Sequence, residues 1–142
     1  MDSHLKRSVI LQHYQNPLNK GLIDDDKYIK INMNNQSCID EIDLMVKIED
    51  EVIKDIKFDG EACAICTSST SIMIETLTGQ SLKQAQMIYD NFVNMINEQD
   101  YDDKVLGQAV VYEDIAKQPN RKKCALLPWW GIKRAIDQVE EQ

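Results

Sequence analysis

The chain has 142 residues, 43% of them hydrophobic, and carries a formal net charge of −8. That is enough apolar material for one core in one domain spanning residues 1–142, and too much for a disordered chain. So acidic a surface argues against nucleic acid or an anionic membrane as partner, and no segment approaches the roughly 18 apolar residues of a membrane span.

Leu5, Val9, Ile10 and Tyr14 recur at helical spacing, which predicts a short amphipathic helix over residues 3–14. Asn16-Pro17 ends it, because the residue before proline is pushed out of the helical region. Asn19-Lys20-Gly21 reads as a turn. Three strand patterns follow. Ile29, Ile31 and Met33 alternate with polar residues, as do Ile42, Leu44, Val46 and Ile48, and then the run Val52, Lys54, Ile56, Phe58. Period-two alternation predicts an antiparallel sheet with one buried face, and Glu49-Asp50-Glu51 supplies the second hairpin turn. After Gly60 the period changes to that of a helix, with Ile65, Ser69, Ile72, Met73 and Thr76 on one side and Gly79 as its C-terminal stop. Ser81-Leu82-Lys83-Gln84 is a capping-box pattern, opening a helix that carries Leu82, Ala85, Ile88, Phe92 and Ile96 on one face. Residues 97–107 read as loop and 108–117 as a short helix. Pro128 suits the first turn of a last helix over residues 127–139. Strands followed by helices predict an α+β fold of two layers, a three-stranded antiparallel sheet with helices packed on it.

Four cysteines carry the chemistry. Cys38 stands two residues before Asp40, Cys63 and Cys66 form a Cys-x-x-Cys step, and Cys124 follows the basic run Arg121-Lys122-Lys123. The N-terminal residues 1–20 hold no continuous apolar leader, so a cytoplasmic location is expected. In that compartment cysteines more often ligate metal or react than form disulfides. Three thiolates and a carboxylate would satisfy a tetrahedral Zn²⁺ ion, and the same thiols could carry sulfur by exchange. On this reading Cys38 and Asp40 lie between the first two strands, Cys63 and Cys66 where the third strand passes into a helix, and Cys124 just before the last helix. All three regions can meet at one end of the domain.

The sequence also resembles a known family. Leu11-Gln12-His13-Tyr14-Gln15-Asn16-Pro17-Leu18-Asn19-Lys20-Gly21, Met33-Asn34-Asn35-Gln36-Ser37-Cys38-Ile39-Asp40, Phe58-Asp59-Gly60-Glu61-Ala62-Cys63-Ala64-Ile65 and Lys123-Cys124-Ala125-Leu126-Leu127 occur in the order seen in U-type iron–sulfur cluster assembly proteins. The similarity is greatest to the SufU branch of that IscU- and NifU-like family. It implies the same α+β fold and places the family's metal ligands on Cys38, Asp40, Cys63 and Cys124. Lys123 stands where the IscU branch has histidine, and the stretch from Cys63 to Cys124 includes the longer insertion of the SufU branch. Both departures point to a zinc-bound sulfur acceptor. Ile39 replaces the family's glycine and Cys66 is additional, at a position where relatives carry a small residue.

The resemblance implies a sulfurtransferase-like role with a cysteine desulfurase as partner. That enzyme holds pyridoxal phosphate itself and presents a persulfide. Cys38 would accept the sulfur, Zn²⁺ would keep the thiols deprotonated, and docking would displace one ligand to release Cys38. Later iron–sulfur assembly proteins would receive the sulfur. Two other readings stand beside this one: a scaffold that builds a [2Fe–2S] cluster on the same residues, and a thiol–disulfide oxidoreductase using Cys63 and Cys66. Cys66 itself is expected to be a core residue, with a fourth sulfur ligand or a redox pair as its sharper roles. His4 and His13 are expected to be structural or superficial. Of the adjacent Trp129 and Trp130, one should face the core. The basic run before Cys124 would favour its thiolate or steer a partner.

Overall fold

A computed structural model describes residues 1–35 and 39–141. Helix α1 (Ser3–Gln15) leads into a three-stranded antiparallel sheet of order β1-β2-β3, with β1 Ile29–Asn34, β2 Glu41–Glu49 and β3 Val52–Glu61. Helices α2 (Ala64–Leu77) and α3 (Leu82–Ile96) follow, then two 3₁₀ segments, Asp103–Val105 and Gly107–Lys117, and the long helix α4 (Pro119–Glu140). The predicted α+β layering is the observed one. No helix among the described residues is long and apolar enough to cross a membrane.

The sheet buries Ile31 and Met33 of β1, Ile42, Leu44 and Val46 of β2, and Ile53, Ile56 and Phe58 of β3. In β3 the predicted face changes. Lys47 pairs with Asp55 but Ile48 pairs with Ile53, so Lys54 is an extra residue in the strand. The bulge reverses the alternation, and Ile53 turns inward while Lys54 stays exposed. Asp50 and Glu51 both take positive φ, 54° and 60°, the geometry of a two-residue hairpin turn whose twist matches the strands. The open edge of β3 is covered at both ends. Gly21 N–H donates to Phe58 O at 2.7 Å and Ile53 N–H donates to Gln80 O at 2.9 Å.

Helix α2 is buried on nearly every side, from Ile65 to Ile74, because α1, α4, β3 and the second 3₁₀ segment all pack against it. Its small hydroxyls make this possible by bonding internally. Ser69 Oγ donates to Ala125 O at 2.7 Å and accepts from Trp129 Nε1 at 3.1 Å. Trp129 stacks on Phe92 with ring centroids 4.1 Å apart, tying α3 to α4, while Trp130 is half-buried. Gly131 lets α4 lie close on the sheet. A Cβ there would sit 2.6 Å from Leu44 Cδ1 and 2.9 Å from Met33 Cγ. Helix α3 begins at the predicted cap, with Ser81 Oγ accepting from Gln84 N–H, and buries the predicted face.

Two expectations change. Helix α1 turns Leu5 and Tyr14 outward, 49% and 45% exposed, and buries Lys6, whose ammonium pairs with Glu113 and Asp114. Helix α4 starts at Pro119, eight residues before the predicted start, so Pro128 lies inside it and Cys124 sits in its second turn. The basic run that reads as a loop is helical because Pro119 already occupies the first turn, where its missing N–H costs nothing.

Candidate metal centre

Three segments converge at the end of the sheet where β1 leaves and β3 runs into α2. Asp40 immediately precedes β2, and Asn35 N–H donates to Asp40 O at 3.0 Å, closing the base of the loop between them. Gly60, near the end of β3, has φ 136° and pairs with Ile42. A Cβ on Gly60 would lie 2.2 Å from Glu41 O, so only glycine allows β3 to approach β2 this closely beside Asp40. Two residues after β3, Cys63 caps α2, and its Sγ accepts from Cys66 N–H at 3.4 Å.

Asp40 is 1% exposed. Its Oδ1 accepts from Cys63 N–H at 2.7 Å, and its Oδ2 lies 3.7 Å from Cys63 Sγ. Cys124 is buried, with Sγ 4.0 Å from Asn120 O. One donor atom from each of Asp40, Cys63 and Cys124 lies within 4.8 Å of the other two. The structure therefore brings these three of the four predicted residues together. Cys38, the fourth predicted ligand, lies outside the described residues. Ile39, at the family's glycine position, is 73% exposed and leaves Asp40 aimed at the two thiols.

Burial pushes the Cys63 thiol up, the Asp40 charge pushes it further, and the Cys66 N–H and Cys124 oppose the shift. Burial also raises Cys124 far above the thiol range, with Asp40 and Cys63 adding to it. The basic run before Cys124 does not offset this. Both shifts favour the protonated thiol, and a cation bound between these residues would oppose them. The donor set fits a cation that prefers sulfur and oxygen. With ordinary Zn–S and Zn–O lengths, tetrahedral ligation puts sulfur and oxygen about 3.6 Å apart, close to the 3.7 Å between Cys63 Sγ and Asp40 Oδ2.

The remaining candidates lie elsewhere. Cys66 is fully buried among the core side chains, as expected, and is not one of the three converging donors. His13 is structural, with Nδ1 2.7 Å from Ser71 Oγ and Nε2 3.0 Å from Gln108 Oε1, linking α1 to α2 and the second 3₁₀ segment. Sequence reasoning missed Lys6 and the close approach at Gly60. The first carries no motif, and the second is visible only as a glycine three residues before Cys63.

An acidic α+β domain with two thiols and a carboxylate gathered at one end of a three-stranded sheet defines a class, and its sequence assigns the family. Residues 5–125 match the NifU-like N-terminal domain, and the chain belongs to that family. It is 36% identical over 137 residues to the zinc-dependent sulfurtransferase SufU of Bacillus subtilis, covering 96% of this chain and 92% of that protein. It is 36% identical over 135 residues to the iron–sulfur cluster assembly scaffold protein IscU of Streptococcus pyogenes, covering 94% of this chain and 84% of the other. The crystal structure of a protein assigned to the SUF system of Fervidobacterium islandicum as a cluster assembly scaffold superposes with a TM-score of 0.87. It is 32% identical, and the match covers 95% of this chain and 99% of that one.

Proposed function

We propose that this chain is a zinc-dependent sulfur acceptor of iron–sulfur cluster assembly, taking persulfide sulfur from a cysteine desulfurase. The observation that carries the proposal is the convergence of Asp40, Cys63 and Cys124 from three separate segments. Similarity to the zinc-dependent sulfurtransferase of Bacillus subtilis supports it, as does Lys123 in place of the histidine of the IscU branch.

Cys38, Asp40, Cys63 and Cys124 would hold the ion. Bound zinc supplies positive charge that keeps the ligating sulfurs as thiolates at neutral pH. In the transfer, the Cys38 thiolate attacks the terminal sulfur of the partner's persulfide. A new S–S bond forms at Cys38, the partner's S–S bond breaks, and the partner's cysteine leaves as thiolate. The other two thiols, fixed at the start of α2 and within α4, would hold the site, while Cys38 follows the polar segment Asn34-Asn35-Gln36-Ser37.

The test is desulfurase turnover, read as alanine or sulfide, with mass spectrometry for a persulfide adduct on this chain. Cys38→Ser is expected to abolish stimulation, since a hydroxyl cannot accept sulfane sulfur. Full stimulation by that variant would overturn the acceptor assignment. The IscU relatives favour a second reading, a [2Fe–2S] scaffold on the same residues. Aerobic purification separates the two, giving colourless protein with stoichiometric zinc for the acceptor and coloured protein with iron for the scaffold.

A further inference from the structure

The sulfur-acceptor reading gives Cys66 no task, yet the fold sets it beside Cys63 at the start of α2. Cys63 is the cap of that helix and Cys66 its third residue. Helical geometry separates such positions by on the order of 5 Å between Cα atoms, inside the range a disulfide spans. The Cys66 N–H points at Cys63 Sγ, 3.4 Å away, so the first sulfur already lies over the turn that carries the second. The two cysteines also share an environment. Cys66 belongs to the core and Cys63 packs against it. Their exposures differ, because Cys63 is partly exposed and Cys66 is fully buried, so an oxidant reaches Cys63 first.

We propose that Cys63 and Cys66 form an oxidisable dithiol that closes to an intrahelical disulfide when the protein meets a hydroperoxide. The Cys63 sulfur attacks one peroxide oxygen and gives up its thiol proton. An S–O bond forms, the O–O bond breaks, and the released hydroxide takes up a proton as water. The Cys66 thiol then attacks Cys63 Sγ, the S–S bond forms, and the hydroxyl leaves with the Cys66 proton as a second water. Two electrons pass from the cysteines to the peroxide. Closure takes Cys63 from the group it makes with Asp40 and Cys124. If zinc is held there, as the proposed function requires, oxidation also releases the ion. A thiol reductant restores both.

The experiment treats the purified chain with equimolar hydrogen peroxide, blocks the remaining thiols with N-ethylmaleimide, and maps unreduced peptides by mass spectrometry. A zinc-binding dye follows the ion in the same samples. The expected product is the Cys63–Cys66 peptide, lighter by about 2 Da, unlabelled at both sulfurs and recovered by dithiothreitol. In Cys66→Ala the disulfide is lost, and a second equivalent of peroxide takes Cys63 on to irreversible sulfinic acid. A Cys63–Cys124 cross-link as the main product, or sulfinic acid at Cys63 in the unmutated chain, overturns the dithiol. Because the peptide map on the unmutated chain needs no variant, poor folding of Cys66→Ala leaves the test intact. Protein that forms the disulfide but never held zinc sustains the dithiol and sinks the zinc reading. Protein that forms it and keeps its zinc overturns the coupling between them.

Discussion

Asp40 is a buried carboxylate with one oxygen bonded to the Cys63 N–H and the other facing the Cys63 sulfur. These two contacts can be separated by substitution. Asp40→Ala removes both and leaves a buried N–H without its acceptor, a cost of about 1–3 kcal/mol in denaturant unfolding. Asp40→Asn retains a carbonyl acceptor but loses the charge. It is expected to unfold close to the parent protein while binding zinc at least tenfold more weakly by competitive titration. Equal zinc affinity in Asp40→Asn would remove Asp40 from the ligand set. At this scale the convergence of Asp40 with the Cys63 step was legible, because chemistry writes each as a short motif. Lys6 was not legible. A cation on the apolar side of a helix contradicts periodicity until Glu113 and Asp114, more than a hundred positions away, are brought to it.

The elements matter because three of their ends build the site. β2 starts at Glu41, β3 passes Gly60 before reaching Cys63, and α4 carries Cys124 in its second turn. Gly60→Ala places a methyl group against the Glu41 carbonyl at a φ that alanine rarely adopts. It is expected to destabilise the fold by at least about 2 kcal/mol and to lower zinc content in whatever protein folds. Calorimetry and metal analysis of one preparation check both, and an unchanged melting temperature would contradict the close approach. Element type was legible from period alone, because the buried faces of β1 and α3 obey it and β2 departs from it at the buried Met45 and beyond Val46. Two features escaped for physical reasons. A bulge at Lys54 breaks strict alternation without any glycine or proline to mark it. The start of α4 was hidden because two prolines compete for the first-turn role, and Pro128 carries the stronger apolar context while Pro119 takes the position.

For the whole molecule, Asp40, Cys63 and Cys124 come from distant parts of the chain, so a metal held by them would link binding to stability. The linkage has a definite sign with pH. In the metal-free fold the Cys63 and Cys124 thiols are raised above their ordinary value of 9.0. Their contribution to metal-free stability is full below about pH 9 and is lost as pH rises through the folded values. Zinc ligated by these thiols would expel their protons, so its affinity would rise over the same direction of pH. The drop in melting temperature on chelation is therefore expected to grow between about pH 6 and pH 9, read by calorimetry with and without chelator. A drop that stays constant with pH would contradict thiol ligation. The central claim is most directly tested by zinc-edge X-ray absorption on protein purified without added metal. The account predicts stoichiometric zinc with a shell of three sulfurs and one oxygen from Cys38, Cys63, Cys124 and Asp40. A shell of four sulfurs would put Cys66 in the place of Asp40, and a shell without sulfur, or one rich in histidine nitrogen, would contradict the account.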